Sequence, residues 1–404
     1  MTLSEELQWR GFANQTTLHD ITELDQRKFT LYFGVDPSAD SMTVGNLAAA
    51  MMVRLFLQHG HKVVLLVGGA TGMIGDPDGK AEERELKSLE EIAHNKAGIA
   101  SQYRTVFEGM NFELVDNYDW FKGINYLDFL RDIGKHFSMT QLLDREFVQS
   151  RIGEGGKGIS YAEFSYSLIQ GYDFLHLFRE HGVTLQLCGA DQWGNSLSGV
   201  ELIRKLEGKE AHVWSTPLVI NRSTGKKFGK SEDGAVWLDA AKTSVYKFYQ
   251  FWLNVDDEGV LDYAKIYTTL SQEALDALAE KVQTAPEKRD AQKLLAHEVT
   301  KLVHGAERTA NVEKVTDVLF GDTSIDELND IELGVLAEEI PTTSTNTSIV
   351  AALAASGVVG SNGEAKRLIS GGAISLNGQK ITEDTQIDKT ALLKKGKNTF
   401  VLVR

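Results

Sequence analysis

Through roughly the first 240 residues, short apolar runs alternate with longer stretches whose apolar positions recur every three to four residues. Leu31–Phe33, Val63–Val67, Phe112–Val115, Thr184–Leu187 and Leu218–Ile220 are brief, mostly apolar and soon followed by Gly, Asp or Asn, the pattern of buried strands. Asn46–His59 and Asn195–Leu206 read as helices between them. The alternation predicts an α/β fold with a Rossmann-like, doubly wound parallel sheet, which places ligands at the carboxyl ends of its strands. From about Val236 the pattern turns mainly helical. Glu287–Gly305 carries Leu294, Leu295, Val299, Leu302 and Val303 on one face, with Pro286 and Glu287 suited to its first turn and Gly305 to its C-cap. Residues 321–347 are acidic, then rich in Thr and Ser after Pro341, and read as a hinge. Beyond it, a helix through Ala365–Ile369 precedes two short strands joined at Asn377-Gly378, a tight-turn signal. The expected domains are a catalytic one over 1–235 with an inserted connective segment, a helical one over 236–321, a linker over 322–346 and a small α+β domain over 347–404.

Composition adds compartment and partners. A chain of 404 residues with 42% hydrophobic and 25% charged residues can bury a core without staples. Its one cysteine, Cys188, excludes an intrachain disulfide, favours a reducing compartment and reads as a packed small residue. No basic start with an apolar core opens the chain, and no run of about 18 apolar residues occurs, so a cytoplasmic protein without membrane contact is expected. Net charge is −15, yet residues 347–404 hold eight Lys or Arg against four Asp or Glu. A basic tail on an acidic body suggests a local polyanion site. The ten histidines show no ligand spacing, so no metal centre is expected.

Two segments carry phosphate chemistry. In Leu31–Leu47 a strand turns into a helix; Gly34 and Gly45 allow close backbone approach, and Ser38, Ser41, Thr43 and Asn46 set neutral donors near a helix N-terminus. Asp36, Asp40 and Ser41 also suit plain turn and cap roles. In Gly225–Ser231 the three lysines Lys226, Lys227 and Lys230 repel one another unless solvated or facing an anion. An exposed basic loop is one reading; a loop closing over a triphosphate is the other. Between these lie Gly68–Pro77, glycine-rich but without a Walker spacing, and Gln186–Asn195, which joins a strand to a helix. On a helix through Phe164–Asp173, Tyr166, Gln170 and Asp173 recur at i, i+4 and i+7 on one face, as a surface stripe or a pocket wall.

Together Tyr32–Pro37, Gly68–Thr71 with Gly75–Pro77, Tyr166–Asp173, Gly189–Asn195 and Lys227-Phe228-Gly229-Lys230-Ser231 resemble the bacterial tyrosyl-tRNA synthetases of class I, over essentially the whole chain. The last segment is similar to the class I Lys-Met-Ser-Lys-Ser signature. The resemblance implies ligation of L-tyrosine to tRNA(Tyr) at the expense of ATP, which arrives with Mg²⁺, by a homodimer without a tightly bound cofactor. It implies that Tyr32 and Asp173 contact the substrate phenol, that Asp76, Tyr166 and Gln170 hold its ammonium group, and that Gln192 lies near its carboxylate. Gln186 and Asp191 would complete the pocket and ribose region. Gly34, Asp36, Ser38, Gly45, Asn46 and Ser231 would border ATP, with Lys227 and Lys230 at the pyrophosphate. Residues 236–321 would lie on the anticodon side. Glu364–Ile369 with Asn377-Gly378 resembles a small RNA-binding module of a ribosomal small-subunit protein and of pseudouridine synthases.

One departure stands out. Where such enzymes usually read His-x-Gly-His, this chain has Thr43-Val44-Gly45-Asn46, neutral at both histidine positions. Asn46 and Thr43 can still donate hydrogen bonds, but the positive charge should come from Lys227 and Lys230. No Ser/His/Asp arrangement is needed, because a tyrosine carboxylate is already ionised at neutral pH. Two rivals remain: a tryptophanyl enzyme, and an inactive paralogue that only binds RNA.

Overall fold

The computed structural model describes residues 1–77, 86–231 and 234–404; of Glu146, Phe147, Lys230 and Ser231 only the backbone is described. The chain divides into two compact units, residues 1–243 with 254–295, and residues 244–253 with 296–404.

The first unit is built on six strands: Gln15–Thr16 (β1), Thr30–Val35 (β2), Lys62–Val67 (β3), Glu113–Val115 (β4), Leu185–Gly189 (β5) and His212–Thr216 (β6). Their order is β1-β6-β5-β2-β3-β4; β1 runs antiparallel to β6 and the rest are parallel. The order reverses between β2 and β5, and the carboxyl ends of that pair open a crevice. Near-continuous apolar runs in β2 and β3 follow from burial on both faces by helices.

Four of the five expected strands are present. The fifth is misplaced: Leu218 and Ile220 are each 40% exposed, and the strand lies upstream at His212–Thr216. Pro217 has no N–H to donate to a ladder, which ends the strand there. The helices expected at Asn46–His59 and Asn195–Leu206 span Val44–Gln58 and Trp193–Glu207. The stripe helix spans Tyr161–His181, opened by a capping box between Ser160 and Glu163 and closed by Gly182.

The expected boundary at 235/236 is not the observed one. Residues 254–295 belong to the first unit. There the buried Arg10 donates to the carbonyls of Lys265, Thr268 and Leu270 at 2.7–3.0 Å, satisfying the end of the helix Val260–Tyr267. The helix expected over Glu287–Gly305 spans Asp290–His304 after a short 3₁₀ turn at Pro286–Lys288.

In the second unit the segment expected as a linker is structured. Asp330–Glu339 forms a helix whose Leu336 is buried with Val315, Leu319, Leu392, Phe400 and Leu402. Thr342–Thr343 joins the edge of a five-stranded sheet beside Thr399–Val403. Helices Ile349–Ala355 and Asn362–Ser370 pack on that sheet, and Asn377-Gly378 turns with φ of 46° and 81° between Ile374–Leu376 and Gln379–Ile381. Two successive positive φ values are what such a hairpin turn requires.

Candidate active site

A cavity of about 340 Å³ opens at the carboxyl ends of β2 and β5. It gathers Tyr32, Gly34, Asp36, Ser38, Thr43, Gly45, Asn46, Asp76, Tyr166, Gln170, Asp173, Gln186, Asp191, Gln192 and Lys227. The side chains of Lys230 and Ser231, also expected here, lie outside the described ones. Segments distant in sequence meet because each lies in or after a strand of the sheet or on the helix Tyr161–His181.

The floor is buried and polar. Asp173 is 1% exposed; its Oδ2 accepts from Asn117 Nδ2 at 3.0 Å and its Oδ1 from Trp120 Nε1 at 2.9 Å. Burial pushes this carboxyl up to about 8, the two hydrogen bonds oppose that, and the charges of Asp36 and Asp116 add to it. Tyr32 is 1% exposed, and its hydroxyl has no partner among the described residues. Burial, then the Asp173 charge, drives its pKa well above the usual phenol value. Gln170 Oε1 and Gln186 Oε1 are likewise buried without a described partner. Unpaired buried polar atoms are expensive, so three in one cavity mark a place built for a polar ligand.

Asn117 and Trp120 were not legible as site residues. Asn117 accepts from Ala70 N at 2.7 Å and donates to Thr71 Oγ1 as well as to Asp173, so it ties the turn after β3 to the floor. The one signal in the sequence was position: both follow β4, where a doubly wound sheet collects ligands. Higher up, Tyr166 donates to Asp36 Oδ2 at 2.7 Å, and Gln192 Nε2 donates to Asp76 Oδ2.

At the start of the helix Val44–Gln58, Thr43 and Asn46 form a capping box. Asn46 Oδ1 accepts from Thr43 N at 2.9 Å and Thr43 Oγ1 at 2.8 Å, while Asn46 N donates back to Thr43 Oγ1. The Thr43 hydroxyl expected as a free donor is thus spent on the cap, and the amide Nδ2 of the exposed Asn46 is the donor left over. Ser41 is a structural residue: buried, donating to Met42 O and accepting from Gln102 Nε2 and Asp239 N. Asp40 pairs with Lys242 at 2.8 Å.

The lysine loop is seated against this helix start. Thr43 bridges to Trp237, Val44 N donates to Val236 O, and Phe228 stacks on Tyr263 with centroids 4.2 Å apart. Gly229 has φ +100°, and a Cβ there would stand 3.1 Å from Gly45 N. Lys227 is exposed on the cavity rim.

The family model of tRNA synthetases class I (W and Y) matches residues 24–321. The chain belongs to that family. A second model, the C-terminal domain of SYY-like tyrosine–tRNA ligases, matches residues 330–404 of this class I synthetase. Its relatives include a tyrosine–tRNA ligase 2 of Bacillus cereus, 44% identical over the whole of both chains. A tyrosine–tRNA ligase of Limosilactobacillus reuteri is 41% identical over the same extent. The synthetase also resembles the crystal structure of a C-terminally truncated mitochondrial tyrosyl-tRNA synthetase of Aspergillus nidulans, with a TM-score of 0.71 and 29% identity. That match covers 79% of this chain and 94% of that one. No helix among the described residues is long and apolar enough to cross a membrane.

Proposed function

We propose that the chain is a tyrosine–tRNA ligase in which Asp173 and Tyr32 read the substrate's phenol. The observation that carries the substrate assignment is the cavity floor: a buried carboxylate held by two donors, beside a buried hydroxyl with no described partner. A phenol hydroxyl donates to Asp173 and accepts from Tyr32, satisfying both. Phenylalanine leaves the Tyr32 hydroxyl without a partner and takes one donor from Asp173, which keeps only Asn117 and Trp120; the established scale of such a penalty in tyrosyl enzymes themselves is about 10⁵ in discrimination.

In the first step a tyrosine carboxylate oxygen attacks the α-phosphorus of ATP. The bond from that phosphorus to the bridging oxygen breaks, and pyrophosphate leaves with the electron pair. In the second, the terminal ribose hydroxyl of tRNA attacks the tyrosyl carbonyl and AMP departs. Asp76, Tyr166 and Gln170 face the ammonium group, and Gln192 directs its NH₂ towards the carboxylate. The space beside Gly34, where a Cβ would meet only Leu66 and Tyr32 at 3.7 Å, is not filled by the protein and suits the nucleotide. The N-terminus of Val44–Gln58 and Lys227 attract the phosphates. Mg²⁺ enters with the triphosphate; among the described residues no three His, Cys, Asp or Glu side chains are grouped to hold an ion. The basic segment 347–404 binds tRNA, and the chain works in the cytoplasm as a homodimer.

The test is ATP–pyrophosphate exchange with tyrosine, tryptophan and phenylalanine supplied separately. Exchange with tyrosine alone is expected. Exchange driven by tryptophan would assign the other branch of the family, and none with any amino acid would leave a binding role only.

A further inference from the structure

We infer that Arg145 is a positioning residue which fixes the orientation of the Gln192 amide, and through it the affinity for the substrate's carboxylate. The inference rests on the reading of the cavity given above. Arg145 precedes the helix Glu146–Ile152, between β4 and β5 in sequence, and does not itself line the cavity. Its Nη1 donates to Asn195 Oδ1 at 3.0 Å and to Ser167 Oγ, and its Nη2 donates to Ser198 Oγ at 2.6 Å. The Ser167 hydroxyl donates to the same Asn195 oxygen at 2.8 Å.

A guanidinium has donors and no acceptor. Asn195 is 4% exposed, and its Oδ1 faces two donors. Turning that amide over would set its NH₂ against a cation and a hydroxyl proton. Its Nδ2 is therefore committed to Gln192 Oε1, 3.3 Å away. With Oε1 occupied, Gln192 presents its own NH₂ to the cavity, where it donates to Asp76 Oδ2. If Gln192 were reversed, its oxygen would face the Asp76 carboxylate and the carboxylate of a bound amino acid. Three side chains thus pass one constraint, donor to acceptor, from an obligate donor outside the cavity to a donor inside it.

The experiment compares equilibrium binding of L-tyrosine with that of tyramine, which lacks the carboxylate, in the full-length protein. Arg145→Met keeps the apolar stem and removes the donors; it is expected to weaken tyrosine roughly tenfold, the scale of one charge-assisted hydrogen bond, with tyramine and ATP unmoved. Arg145→Lys keeps a donor and should recover most of the loss. Asn195→Asp guards against simple misfolding: it pairs well with Arg145 but turns an acceptor on Gln192, so it too should weaken tyrosine and spare tyramine. Adding Arg145→Met to Gln192→Ala should cost nothing more. Equal weakening of both ligands, or no change in either, would overturn the inference. Absence of tyrosine binding by the unsubstituted protein would overturn the reading of the cavity itself.

Discussion

Replacing Asp173 by Asn removes one charge and almost no volume, and the surroundings of that carboxyl set two effects of opposite sign. Burial raises it to about 8 in the folded protein, whereas in the unfolded chain it ionises near 4. Between those values the folded state holds a proton the unfolded state has lost. Stability therefore falls as pH rises through that window, and levels off above about 8. At ~1.4 kcal/mol per pH unit, the cost accumulated from about pH 5 to about pH 8 has a ceiling of about 4 kcal/mol. Asp173→Asn escapes that cost but must set its NH₂ against either Asn117 Nδ2 or Trp120 Nε1, a loss of about 1 kcal/mol. Its stability relative to the parent should thus rise by a few kcal/mol between about pH 5 and about pH 9, other groups cancelling in the difference. Function moves the other way. Above about pH 8, where the parent carboxyl is ionised, losing that charged acceptor for the phenol hydroxyl should reduce tyrosine-dependent exchange by roughly 10- to 100-fold and leave phenylalanine unaffected. Urea denaturation of both proteins at the two pH values, with exchange measured alongside, tests both. Stability curves that stay parallel would refute the burial argument, and an unchanged tyrosine-to-phenylalanine ratio would refute the assignment of Asp173.

Three further outcomes are expected. Lys227→Ala should lower the exchange rate by about 10²–10³ while tyrosine affinity holds, since the charge acts where phosphate charge develops; a rise in tyrosine Kd with an unchanged rate would contradict this. Burial pushes His61 down to about 4, and also lowers His176 and His212. The unfolded chain then takes up protons that the folded protein refuses, so stability should fall as pH drops from about 6.5. His61→Gln should flatten that acid limb by at most about 3 kcal/mol, read from denaturation midpoints in acid and at neutrality. A chain ending at residue 346 loses Leu392, Phe400 and Leu402 from the cluster around Leu336. It should melt several degrees lower in what remains of the second unit, and an unchanged melting profile would argue that the segment is a free linker after all.

Legibility followed the range of the interactions. Tyr166, Gln170 and Asp173 could be read as one surface because helical spacing is local, and β2, β3 and β5 because strands buried on both faces are written in mostly apolar letters. β6 escaped because His212, Ser215 and Thr216 are polar by letter yet buried by position. Ser215, for instance, takes bonds from Asn14 and Gln15 across about two hundred residues. The partners of Asp173 escaped for the same reason: Asn117 and Trp120 lie more than fifty residues upstream, and nothing in their spacing announces the contact. The supposed hinge was misread because Thr, Ser and acidic residues signal loops only on average, whereas Asn329 and Glu332 there form a capping box.

Thr43 and Asn46 sharpen what the missing histidines mean. Their cap uses the Thr43 hydroxyl and both the carbonyl oxygen and the backbone N–H of Asn46, so few neutral donors remain at the start of Val44–Gln58. A helix N-terminus alone offers about half a positive charge, little against a triphosphate. Under the proposed function the rest must come from the lysine loop, and its value depends on where the loop is held. That position is set from two sides: Phe228 against Tyr263, and Gly229 against Gly45 at a separation a side chain would disturb. Val44 N–Val236 O and the Thr43–Trp237 bridge join the strand of chain just after the loop to the first turn of the same helix. Dipole and lysine are therefore mounted on one frame, and charge lost from one segment can be supplied by the other without a change in where the phosphates sit.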